Sequence, residues 1–471
     1  MIVDRVYTPG LAQVAYLVAD EAAGEAAVID PRRDIDVYLD WAAERGLRIV
    51  AILETHVHAD FVSGARDLAA ATGADVYAGR IGQTAFPHVA LDDGDEIRVG
   101  DLTLRAFWTP GHTPEHMSYL LLDPAQGPDP LALFSGDALF VGEIGRPDLL
   151  GAGELEALAE QLHTTVSTRL SALPDAVTVY PGHTAGSPCG KKIGDAPTTT
   201  IGQERRTNYA FRPETVATAA RFAETVMAGM PQPPAYYPTM KRVNKDGPTA
   251  LAGLADGGPL APAEVAALQA AGALVIDARS PEAFAAGHVP GSAFAELGPS
   301  FAIWAGWLTP YDRDVVLVVD DSAQYAAART DLRRIGVDRV VGHLAGGVAA
   351  WRASGRPLAT VGTMTVGDLA GELGRPGNDL AVLDVRDRSE WEQGHLPGAS
   401  HWFAGEIAQG RLPILPSGAR VALICGSGYR SMVAASLLRA AGAPDVVGVL
   451  GGMNAWEASG LPVERPEAVR L

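Results

Sequence analysis

Basic charge, cysteine and long apolar runs are all scarce in this 471-residue chain, and each shortage excludes a class of protein. Lysine and arginine number 37 against 56 aspartates and glutamates, a formal net charge of −19. A surplus of that sign repels a phosphate backbone and gives anionic lipid no footprint, so neither nucleic acid nor a membrane is an expected partner. No uninterrupted apolar run approaches the ~18 residues that a membrane span needs. The opening MIVDRVYTPG leads into no apolar h-region or small-residue cleavage site, and a cytoplasmic location is expected. Only two cysteines occur, Cys189 and Cys425, too few for a disulfide framework. Each is therefore weighed as a reactive or an inert thiol.

Apolar residues make up 47% of the chain, and the length predicts about three domains, each able to bury its own core. An internal repeat marks two of them. DARSPEAFAAGHVPGSA, from Asp277 to Ala293, returns as DVRDRSEWEQGHLPGAS, from Asp384 to Ser400, with Asp, Arg, Gly-His and Pro-Gly at a constant offset of 107. LAGGVAAW, ending at Trp351, returns as LGGMNAWEASG with Trp456, so each copy spans close to 100 residues. Within each copy an apolar strand-type run is followed by a helix-like segment, a second strand and a second helix, the alternation of a parallel α/β sheet. KDGPTALAGLADGGPLAP and GRPLATVG have the Gly and Pro content of linkers. Boundaries near 250 and 360 follow, giving domains 1–250, 251–360 and 361–471.

Four apolar runs in the first domain each end in a metal-ligand type of residue. RIVAILE runs into Thr55-His56-Val57-His58-Ala59-Asp60, and the segment after it reads as a helix closed by Gly73. LTLRAFW ends in Thr109-Pro110-Gly111-His112, LALF in Ser135-Gly136-Asp137, and AVTVY in Pro181-Gly182-His183. A lone His-x-His is commonly a surface or core pair, but four strand ends with glycines that turn the backbone can converge several side chains on one ion. His88, His116 and His163 lack such placement and read as surface or packing histidines, with His116 close to His112 in sequence. Spacing alone does not choose between His56 and His58 as a ligand.

These residues resemble the metallo-β-lactamase superfamily, whose signature HxHxDH appears as His56, His58 and Asp60 with Phe61 where the last His would stand. That superfamily implies an αββα sandwich, and the missing last His argues against a complete two-zinc site. The branch most similar is the persulfide dioxygenases. It implies one Fe(II) per chain, held by His56, His112 and Asp137, with zinc as the alternative metal. Two histidines and one carboxylate leave open positions suited to substrate and O2. His58, Asp60 and His183 would form an outer layer of partners or an empty second site. Arg146, in GEIGRPDLLG, would steer an anionic persulfide or hold sulfite, or else simply pair with Asp148. Cys189, six residues after His183, is expected near the metal mouth.

In the second repeat the strand VALI delivers Cys425, and Gly426-Ser427-Gly428-Tyr429-Arg430 opens a helix. Unpaired N–H groups, the positive helix end and the Arg430 charge favour a thiolate, and the same cradle would hold the terminal sulfur of a persulfide. CxxGxRS with the upstream DxR…GHxPGA segment resembles the rhodanese sulfurtransferases. CGSGYR has one residue too few between Cys and Arg for the loop of cysteine phosphatases. The first repeat reads VVLVVDDSAQY at this place, with Asp320 or its neighbour instead of the thiol, and is read as a scaffold spacing the outer domains.

The order of domains resembles persulfide dioxygenase–rhodanese fusions. This implies oxidation of a low-molecular-weight thiol persulfide by O2 to sulfite, followed by sulfur transfer from Cys425 to sulfite to give thiosulfate, in a homo-oligomer. The rivals are a glyoxalase II-type zinc thioesterase joined to a sulfurtransferase, and a sulfur carrier or sensor without catalysis.

Overall fold

The alternating apolar residues of the N-terminal half build two mixed six-stranded sheets. One runs in chain order through Ile2–Thr8, Gln13–Asp20, Glu25–Ile29, Arg48–Leu53, Asp75–Gly79 and Val89–Leu91. The other takes the order Thr199–Thr200, Thr178–Pro181, Ala132–Gly136, Met117–Leu122, Leu102–Trp108 and Glu96–Val99. The computed structural model describes residues 1–416, 418–443 and 445–465. These divide into two units: Met1–Leu254 with Arg333–Gly336, and Ala255–Leu332 with the described residues from Val337 on.

Strand Gln13–Asp20 explains the layering, because it is buried at every position. Its Val14, Tyr16 and Val18 meet Leu104, Tyr119, Leu121 and Phe134 of the facing sheet. Its Ala15 and Leu17 pack with Tyr38 and Ala42 of helix Asp36–Arg45 and with Leu68 of helix Ala65–Thr72. The second sheet is covered by helices Leu155–Thr164 and Ala219–Met227 through Leu162, Phe222 and Val226. The result is the expected αββα sandwich, and Gly73 closes the helix after the His-rich loop in a left-handed conformation (φ 75°).

The second unit holds two five-stranded, all-parallel sheets of identical topology. They run Gly258–Leu260, Val340–Leu344, Val315–Val318, Leu274–Asp277, Ala293–Phe294, and Gly362–Thr365, Val446–Leu450, Arg420–Ile424, Leu380–Asp384, Ser400–His401. The repeated motif has a structural cause. Asp277 and Asp384 each bind the arginine two residues on, and that arginine donates to the carbonyl of Gly287 or Gly394 (2.9 and 2.7 Å). His288 and His395 stack on Phe284 and Trp391 at 3.8 and 3.5 Å.

One expectation changes here, and one left open between Asp320 and its neighbour is resolved. The glycine-rich stretch before residue 261 is not only linker, since Gly258–Leu260 is an edge strand paired with Val340–Leu344. In the first repeat Val318 pairs with Asp277 as Ile424 pairs with Asp384, so the residue matching Cys425 is the buried Val319, with Asp320 one place beyond. Helix Ser322–Arg334 begins three residues after Val319, whereas Tyr429–Ala440 begins four after Cys425, so the first copy lacks room for the same loop.

Candidate metal centre and thiol loop

The four strand ends do converge. His56 follows Arg48–Leu53, His112 follows Leu102–Trp108, Asp137 follows Ala132–Gly136 and His183 follows Thr178–Pro181; all four side chains are buried. One donor atom from each of His56, His112 and Asp137 lies within 4.8 Å of the others. The hydrogen bonds behind them fix which atoms are free. Thr55 Oγ1 donates to Asp30 Oδ2 (2.8 Å) and so accepts the Nδ1 proton of His56 (2.9 Å), leaving a lone pair on His56 Nε2. His112 Nδ1 donates to the carbonyl of Arg146 (2.9 Å), and its Nε2 lies 3.4 Å from Asp137 Oδ2. That carboxylate oxygen is buried and has no hydrogen-bond partner among the described residues. Two lone-pair atoms facing each other in a dry site are what a bound cation would relieve, so the residues present fit a metal ion. Burial holds His56 and His112 below the usual histidine range, which keeps them neutral.

The remaining expected residues separate into two groups. Asp60, His183 and Cys189 lie together. His183 presents Nε2 to Asp60 Oδ2 (2.8 Å) and Nδ1 to Asp137 Oδ1 (2.9 Å), so both nitrogens donate and neither keeps a lone pair. Burial alone would lower its pKa, but the Asp137 and Asp60 carboxylates outweigh that and hold it at about 10. Burial, with Asp137 and Asp60 nearby, pushes the Cys189 thiol well up. His58 does not join them. Its Nε2 sits 3.1 Å from both Asp30 and Glu54, and these carboxylates raise its pKa against the effect of burial.

Arg146 takes the second of the two roles open to it. Its guanidinium is held by Asp148 (2.6 and 2.7 Å) and by the Pro188 carbonyl (3.0 Å), leaving its own carbonyl to orient His112. Gly145 must be glycine, because a Cβ there would stand 1.9 Å from the Asp137 carbonyl oxygen.

The thiol loop is equally specific. Cys425 is buried at the end of Arg420–Ile424, and the Gly428 N–H donates to its Sγ at 3.1 Å. Gly428 has φ 104° and caps helix Tyr429–Ala440. Gly426 accepts from the Asn454 N–H (2.9 Å), and Ser427 is exposed. Arg430 lies beside Gly426 but makes a two-pronged pair with Glu390, one contact at 2.7 Å. The expected full positive charge at the thiol is therefore matched by a carboxylate.

A crystal structure of a metallo-beta-lactamase from Staphylococcus aureus subsp. aureus COL is 35% identical, covering 73% of this chain and 98% of that one with a TM-score of 0.66. A hydroxyacylglutathione hydrolase of Maricaulis maris is 33% identical over 234 residues, 44% of this chain and 85% of that protein. The model of the metallo-beta-lactamase superfamily matches residues 8–183. The chain belongs to the metallo-β-lactamase superfamily. Beyond that domain, the rhodanese-like domain model matches residues 261–354 and 365–459. A probable metallo-hydrolase of Burkholderia pseudomallei (strain 1710b) is 32% identical over 247 residues, 45% of this chain and 81% of that protein.

Within the superfamily signature, Phe61 fills the last position with a buried ring 4.3 Å from that of His58. Sequence reasoning missed four residues of this metallo-β-lactamase centre. His116 is buried, stacks on His56 at 5.1 Å, and accepts the Asp137 N–H on Nε2 (3.0 Å). Burial lowers its pKa to about 3, so it remains a neutral acceptor. Asp30, Glu54 and Thr55 hold the histidine loop; the first two also stand at strand ends, a signal the sequence carried. Thr55→Val removes the acceptor for His56 Nδ1–H and frees the ring tautomer. Metal affinity, read by chelator competition, is expected to fall about 10- to 100-fold, the usual effect of losing a hydrogen bond behind a ligand.

Proposed function

We propose that the metal centre oxidises a low-molecular-weight thiol persulfide with O2, and that Cys425 passes a second sulfane sulfur to the sulfite formed. The observation that carries this reading is the three-donor set His56, His112 and Asp137, with free donor atoms on one side only. The pairing of His183 with Asp60 and Asp137, and Phe61 in the last position of the signature, favour one metal over two. A two-histidine, one-carboxylate set with open positions suits non-heme Fe(II), which when bound would supply adjacent positions for O2 and the sulfur.

The protein's own residues do the rest. Thr55 and the Arg146 carbonyl keep His56 and His112 in the tautomer that offers Nε2. His183 and the His116-bound backbone fix the Asp137 carboxylate. The overall step balances as RSSH + O2 + H2O giving RSH and sulfurous acid: the terminal sulfur is oxidised and O2 takes the electrons. At the rhodanese domain, the Cys425 thiolate attacks the outer sulfur of a second RSSH, releasing RSH and leaving a persulfide on Cys425. Sulfite then attacks that outer sulfur, forming thiosulfate and restoring the thiolate. The Gly428 N–H stabilises the anionic sulfur at this position.

The rival is a two-zinc thioesterase, supported by the hydroxyacylglutathione hydrolase relative. Oxygen uptake by iron-reconstituted protein with glutathione persulfide, with sulfite and thiosulfate followed together, separates the two. Uptake with about one iron per chain is expected. Hydrolysis of an acyl-glutathione by protein holding two zincs, without oxygen uptake, would overturn the proposal.

A further inference from the structure

One helix of the N-terminal unit carries a buried cation that no group among the described residues accepts. Helix Tyr237–Asp246 lies against the histidine loop: Asn244 Nδ2 donates to the carbonyls of His58 (2.9 Å) and Phe61 (2.7 Å), and its Oδ1 accepts the Ser63 N–H (2.9 Å). Two turns earlier, the Tyr237 hydroxyl stands 3.9 Å from Cys189 Sγ. Lys241 is four residues after Tyr237 and three before Asn244, so it shares the face turned to the site. Its Nζ is buried and has no hydrogen-bond partner among the described residues.

The charges around Lys241 place it electrically in the same centre. Burial lowers the pKa of Lys241, while the Glu115 and Asp137 carboxylates favour its protonated form, and its charge in turn disfavours protonation of His56, His112 and His116. Glu115, whose Oε1 accepts the Val57 N–H (3.1 Å), makes no hydrogen bond to it. A buried ammonium carries three donors, and leaving them unmet is costly. An apolar side chain of similar length would avoid that cost. The neighbouring Met240 on this helix is fully buried.

We propose that Lys241 is the anion-binding residue of the metal centre, receiving the negatively charged sulfur of the substrate and the oxygens of the product. The substrate class is then an anionic sulfur compound, and not the neutral thioester carbonyl of a hydrolase. This rests on the oxidative reading above and deepens it. It also answers how a chain with a net charge of −19 admits an anion, because one unscreened buried cation outweighs distant surface charge.

Sulfite serves as the probe, titrated calorimetrically into metal-loaded Cys425→Ser protein so that the rhodanese loop does not contribute. Lys241→Met is expected to weaken sulfite binding about tenfold or more, the scale of a lost hydrogen bond to a charged group, with metal content unchanged. Lys241→Arg should retain most of the affinity. In oxygen uptake, Lys241→Met should raise KM for glutathione persulfide more than it lowers kcat. Unchanged sulfite affinity in Lys241→Met would overturn the proposal. Should that variant not fold, Lys241→Gln, which keeps much of the length and a neutral donor, is titrated in the same way: weaker sulfite binding is expected, and unchanged affinity overturns the proposal. Absence of oxygen uptake by the wild-type protein would sink the oxidative reading instead, while the sulfite titration would still report on Lys241.

Discussion

Asp137→Asn is expected to abolish persulfide-dependent oxygen uptake while leaving sulfur transfer by Cys425 intact. The substitution keeps size and an oxygen that can still accept from His183 Nδ1, so it removes little but the charge offered by the unpartnered Oδ2. Asp137 is the only anionic donor in the His56, His112 set. Its loss should therefore lower metal affinity by more than the roughly 100-fold that an outer hydrogen bond contributes. Elemental analysis after dialysis, beside the oxygen electrode, checks both effects. The cost in stability is real but smaller, because buried His183 keeps Asp60 as one charged partner. Normal metal content in Asp137→Asn would remove Asp137 from the ligand set.

Cys425→Ser is expected to do the reverse. Oxygen uptake continues, thiosulfate formation falls by on the order of 10³-fold or more, and sulfite accumulates in its place. The physical reason is that only a thiolate both attacks a sulfane sulfur and leaves again, and the Gly428 N–H that stabilises it has no equivalent use for a serine hydroxyl. Quantifying sulfite and thiosulfate in one sample checks this. Parallel loss of oxygen uptake and thiosulfate would end the two-site scheme.

What could be read from the sequence was what lies in register with local pattern. The strand-end positions of His56, His112, Asp137 and His183, the helix closed by Gly73 and the 107-residue repeat all follow from short-range periodicity and turn glycines. What could not be read was how side chains choose partners across the fold. His58 is adjacent in sequence to the ligands but turns to Asp30, 28 residues away. Arg146 carries a charge suited to an anion, yet Asp148 and the Pro188 carbonyl take it up. His116 looked unplaced because its partner, the Asp137 backbone, comes 21 residues later. Lys241 gave no local signal at all, since its meaning lies in the partner it lacks.

In the proposed sequence, the buried valine at position 319 leaves the two rhodanese-like domains a single berth for sulfur. Cys425 must discharge its sulfur before it can accept another. The ratio of sulfite to thiosulfate leaving the enzyme then reflects a queue: slow reloading lets sulfite escape, and slow sulfite production leaves the berth occupied. A cysteine placed at 319 would not add a second berth, because the loop of the first copy is one residue too short to close around it.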